Sequence, residues 1–76
     1  MKYKLTDESI TVFGVELRRI EAVADFGDIK AGQKGGFVQA EYNLDQSGEA
    51  WVYGEAQVYG EARVYGEAQV YGEARV

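Results

Sequence analysis

Three sets of side chains in this 76-residue chain have the types and spacing to do chemistry. Glu49, Glu55, Glu61, Glu67 and Glu73 recur every six residues, a pattern that could hold a ladder of cations. A hard cation needs several oxygens at one point, and no second acid or Asn stands in the same six-residue unit, so a solvated edge is the better reading. Lys34 lies among Gly32, Gly35 and Gly36, as a phosphate-cradling lysine would. The stretch lacks the Gly-x-x-x-x-Gly-Lys-Ser/Thr spacing and does not run from an apolar strand into a helix, so it reads as a turn. Tyr53, Tyr59, Tyr65 and Tyr71 also recur every six residues, close to Trp51. Outward aromatic rows can stack on sugar rings or on a partner chain, or can simply brace neighbouring strands.

The chain contains no His and no Cys, which removes the commonest general base and the usual metal ligands. The residues therefore offer no catalytic centre, no cofactor site and no metal site. Thirteen acids against eight bases, a net charge of −5, disfavour binding to a phosphate backbone. The opening Met1-Lys2-Tyr3-Lys4-Leu5-Thr6-Asp7-Glu8 meets acids before any apolar run, unlike a signal peptide, and no stretch reaches the length of a membrane span. Nucleic acid and membrane are thus not expected partners. A cytoplasmic or phage-particle location is expected.

The elements that must position the tyrosines are short strands. Gly-Glu-Ala occurs five times, at Gly48, Gly54, Gly60, Gly66 and Gly72, each followed by residues such as Gln57-Val58-Tyr59 or Arg63-Val64-Tyr65. So short a fixed period marks a solenoid, whose units cannot bury their own faces alone. Ala and Val alternate with Gln or Arg and Tyr, so Ala and Val point inward while glycine turns a corner. Counting back by six from Ala74 gives Ala68, Ala62, Ala56, Ala50, Leu44 and Val38, and from Val76 gives Val70, Val64, Val58, Val52, Gln46 and Ala40. The solenoid is expected to start near Phe37, with an irregular first coil through residues 42–47.

Upstream, apolar Leu5, Ile10, Val12, Val15, Leu17 and Ile20 predict strands near 2–5, 9–13 and 15–23, with a tight turn at Phe13-Gly14. Leu17, Ile20, Glu21 and Ala24 also suit a helical face, but no helix cap precedes them, which favours strand. Residues 27–36 read as a connection in which Gly32, Gly35 and Gly36 can take positive φ. The chain divides into a β-hairpin cap and turn over 1–36 and repeats over 37–76, forming one continuous domain.

An aliphatic residue followed four places on by a small one, every six residues, resembles the hexapeptide repeat of left-handed parallel β-helices, in which three hexads close a triangular coil of about eighteen residues. Phe26-Gly27-Asp28-Ile29-Lys30-Ala31-Gly32, Lys34-Gly35-Gly36-Phe37-Val38, Asn43-Leu44 and Trp51-Val52-Tyr53-Gly54 are similar to the front end of bacterial and prophage-borne hexapeptide-repeat proteins of unassigned activity. The repeats here alternate Gln57, Arg63, Gln69 and Arg75 without error, as a truncated or idealised array would. Three hexads per coil would place Gln57 over Arg75, Glu49 over Glu67 and Glu55 over Glu73. Acyltransferases and gamma-type carbonic anhydrases share this fold, but they rely on histidines that this chain lacks.

The resemblance implies an all-β, left-handed parallel β-helix with a small β-rich N-terminal cap. The expected role is non-enzymatic: a structural module that self-associates as a dimer or trimer through Trp51, Tyr53, Tyr59, Tyr65 and Tyr71 and through an edge carrying Val70 and Val76. The alternative is a carbohydrate- or surface-binding module that uses the tyrosine rows, with a glycan as partner.

Overall fold

The computed structural model describes residues 1–72. Strand β1 (Tyr3–Val12) and strand β2 (Val15–Ala22) form an antiparallel hairpin whose two-residue turn is Phe13-Gly14. Both turn residues have positive φ, 50° and 80°, as a hairpin turn matched to the strand twist requires. Of residues 16–24, whose pattern also suits a helix, 16–22 are strand and 23–24 form a bend. Leu5 pairs with Ile20 and Ser9 with Arg18, so Thr6, Asp7 and Glu8 together face Arg19. The Thr6 hydroxyl donates to the Arg19 carbonyl across this bulge, at 2.9 Å.

Strand β3 (Lys34–Val38) pairs antiparallel with β2. It contains Gly35 and Gly36, which were expected in the preceding turn with positive φ. Only Gly27 and Gly32 of that connection have positive φ. The reason for the other two glycines is close approach. A Cβ on Gly35 would lie 2.5 Å from the Val52 carbonyl oxygen, and one on Gly36 would lie 2.5 Å from that of Ala56.

After a 3-10 turn (Glu41–Asn43), three parallel contacts organise the rest of the chain. Phe37 and Val38 of β3 pair with Gln57 and Val58 of β5 (Gln57–Val58), and Leu44 bridges to Val64, both at an offset of twenty residues. Trp51 and Val52 of β4 (Trp51–Val52) pair with Gln69 and Val70 of β6 (Gln69–Val70), at an offset of eighteen. Gly48, Gly54, Gly60, Gly66 and Gly72 all have positive φ, between 58° and 73°, as corners between short strands need.

These offsets correct the phase read from the sequence. Val38 and Leu44 do not continue the alanine row; they stack on Val58 and Val64. From Leu44 to Val52 the chain takes eight residues, whereas Val52, Val58, Val64 and Val70 follow one another at six. The two extra residues lie in the stretch 45–48, where Gln46 turns away to hold the N-terminus.

Burial follows from this stacking. Val38, Leu44, Val52 and Val58 are inaccessible to solvent, Val64 nearly so and Val70 half-buried, while Ala50 and Ala56 are buried, Ala62 partly buried and Ala68 exposed. Tyr3, Ile20, Ala22, Ile29 and Trp51 join the same core, so the hairpin and the repeats share one apolar interior. Arg19 fastens the two parts together. Its guanidinium donates to the Gly35 carbonyl, pairs with Glu8 and Glu55, and lies 4.4 Å from the centre of the Phe37 ring.

Candidate interaction surface

The tyrosines expected to mediate association follow four successive strand segments. Tyr53 follows β4, Tyr59 follows β5, Tyr65 follows the Leu44–Val64 contact and Tyr71 follows β6. Tyr53 and Tyr71, eighteen residues apart on paired strands, stack with ring centres 4.9 Å apart and planes 14° from parallel. Tyr65 and Tyr71 are exposed, while Tyr53 and Tyr59 are half-buried. Burial, together with the charges of Tyr71 and Asp28, raises the Tyr53 phenol above its ordinary value. Only the pair Tyr53–Tyr71 is a stacked ladder within the described residues.

Trp51 is not on the surface. It holds the outward phase of its hexad, the place of Gln57, Arg63 and Gln69, yet none of it is accessible. Tyr3 meets it edge to face at 6.4 Å and Phe26 at 5.3 Å, so the N-terminal strand and the loop after β2 cover it. Its indole Nε1 has no acceptor among the described residues. Val70 packs against the core at the margin of β6, and Val76 lies outside the described residues, as do Glu73 and Arg75.

Periodicity gave no sign of the groups that join Lys2 and Tyr3 to the irregular turn. The Gln46 side chain accepts from the Lys2 and Tyr3 amides, at 2.8 and 3.3 Å, and donates to the Tyr3 carbonyl and to Glu41. It serves β1 as a peptide group of a neighbouring strand would. The Tyr3 hydroxyl donates to the carbonyls of Glu41 and Leu44, and its burial, with Glu41 and Asp45 nearby, pushes the phenol well above its usual range. The Lys2 ammonium donates to the Ala50 carbonyl at 2.8 Å and lies over the Phe26 ring, and burial lowers its pKa despite the neighbouring Asp45. Asn43, fully buried, donates to the Ala62 carbonyl at 2.7 Å and accepts from the Ala40 amide.

The glutamates of the repeats do not converge. Among the described residues no group of three or more His, Cys, Asp or Glu could hold a metal ion. No helix among them is long and apolar enough to cross a membrane.

No protein-family model matches the chain. The chain is a distant homologue of an uncharacterized acetyltransferase, YdcK, of Escherichia coli K12, with 38% identity over 60 residues. The match takes in 68% of this chain and 18% of that protein, so the chain spans under a fifth of its relative's length.

Proposed function

We propose that the described residues form a capped stretch of a left-handed parallel β-helix and that their role is structural. The observation that carries this reading is the pairing of Trp51–Val52 with Gln69–Val70 at an offset of eighteen residues, with Tyr71 stacked on Tyr53. Three hexads per turn of the helix produce that offset. The hairpin covers one end of the stack, and the regular hexads present strand margins at Val64 and at Gln69–Val70 that carry no further strand among the described residues. Such a margin accepts another rung of the same kind, from further hexads or from a second copy of the chain.

The name of the relative points to acetyl transfer, and the proposed reading gives this stretch the scaffold rather than the chemistry. Acyl transfer to an amine or hydroxyl calls for a base to take the acceptor's proton, and the chain has no histidine to serve. An assay of the 76-residue chain with an acetyl donor and amine acceptors is expected to give no turnover; turnover would overturn the non-enzymatic reading. Self-association is tested by sedimentation at micromolar concentration. A dimer or trimer is expected, and a single 8.4 kDa species would refute it.

A further inference from the structure

The lengthened turn that binds the N-terminus also shapes a groove of about 790 Å³ between residues 41–46 and the strand segment 63–65. Leu44 and Val64 line it, flanked by the phenol rings of Tyr42 and Tyr65. Glu41, Asp45 and Arg63 supply its charges. We propose that this groove binds a neutral saccharide, with a pyranose ring against Tyr65 and its hydroxyls shared between the two carboxylates and the guanidinium. This goes beyond the scaffold role and does not depend on it. It also moves the expected glycan contact from the tyrosine rows to one place.

Three features make the groove a prepared site. The Tyr42 hydroxyl donates to the Gly60 carbonyl at 2.6 Å, which holds that ring in place. The Tyr3 hydroxyl secures the backbone at Glu41 and Leu44, and Gln46 is held by Lys2 and Tyr3, so little freedom is lost when a ligand enters. Asp45 Oδ1 accepts from the Ser47 amide and hydroxyl, which keeps the carboxyl ionised below its ordinary range. The Asp45 carboxylate is exposed and can take a ligand hydroxyl, and the exposed Tyr65 ring offers an apolar face for sugar C–H groups. Two carboxylates against one guanidinium make the groove net negative, which opposes uronates and sugar phosphates.

The test is amide-resolved NMR of the intact chain titrated with maltotetraose, cellotetraose and chitotetraose, with tetragalacturonate as the anionic comparison. At least one neutral probe is expected to shift residues 41–46 and 63–65 with a Kd of about 1 mM. Tyr65→Ala and Asp45→Asn should each weaken it about tenfold, whereas Tyr71→Ala should leave it unchanged. The same spectra report whether each variant is folded. The proposal is overturned if no neutral probe produces shifts up to about 10 mM, if shifts centre on Tyr53 and Tyr71, or if tetragalacturonate binds as tightly. A monomeric chain that binds the sugar would refute self-association and leave the groove standing.

Discussion

The two successive rungs of the parallel stack differ in how they are held. In the first, residues 34–52, every departure from the hexad has a partner: Gly35 and Gly36 admit neighbouring backbone, Phe37 lies under Arg19, Gln46 binds Lys2 and Tyr3, and Trp51 fills the space beneath Tyr3 and Phe26. The second, residues 54–72, has the regular hexads, and its outward positions Arg63 and Gln69 are exposed. Buried alanines and valines become steadily more open along it, from Ala56 to Ala68 and from Val58 to Val70. Irregular residues hold the domain together, and regular ones extend it.

The sharpest way to break this contrast is to truncate paired outward residues. Trp51→Ala should remove about 3–5 kcal/mol, most of the stability of so small a domain, while Gln69→Ala at its paired position should change it by less than about 0.5 kcal/mol. Similar melting curves for the two would show that the rungs are equivalent. Next come the glycines. Gly36→Ala drives a Cβ into the Ala56 carbonyl and should cost about 3 kcal/mol. Gly60→Ala meets open space and bears only the strain of φ near 66°, about 1 kcal/mol. Chemical denaturation would compare them, and a larger loss at Gly60 would reverse the assignment.

Gln46→Ala should cost about 1–2 kcal/mol, because it leaves the Lys2 and Tyr3 amides without their acceptor, and hydrogen exchange at those amides should quicken before the rest of β1. The smallest effect is in pH. Tyr3 ionises at 10.0 when unfolded and higher when folded, so its contribution is complete below that pH and is lost as pH rises toward the folded value. Lys2, whose pKa is lowered on folding, works the other way: relief of its buried charge adds stability as pH rises toward 10.5. Melts between about pH 8 and 11 should show stability falling in the wild type and less so in Tyr3→Phe. An unaltered alkaline fall in the variant would show that Tyr3 is not its source.

Much of this arrangement is legible from the residues. Phe13-Gly14 between β-branched runs marks the hairpin, each Gly-Glu-Ala marks a corner, and the valine row marks the interior, because all three depend on local geometry. Gly35 and Gly36 read as turn residues because a glycine needed for close approach looks the same in sequence as one needed for positive φ. Trp51 reads as exposed because its cover comes from Tyr3, 48 positions away, and from a loop with no periodicity. In the proposed groove, Tyr65 belongs to the repeat, but Glu41, Tyr42 and Asp45 lie in the irregular stretch before it, where no period marks them.

That step also resolves a degeneracy. Hexads this alike can exchange partners: shifting the second rung by six residues would set Val against Val again, at nearly equal energy, one face further round. Nothing within the repeat distinguishes one alignment from another. The interval from Leu44 to Val52 occurs once, and it fits only where Gln46 meets Lys2 and Tyr3. Folding that begins at this contact has a single starting alignment, and each later hexad inherits it from the one before. Restoring six-residue spacing by deleting Gln46 and Ser47 would therefore yield several coexisting strand alignments, visible as multiple amide signals for residues 57–70.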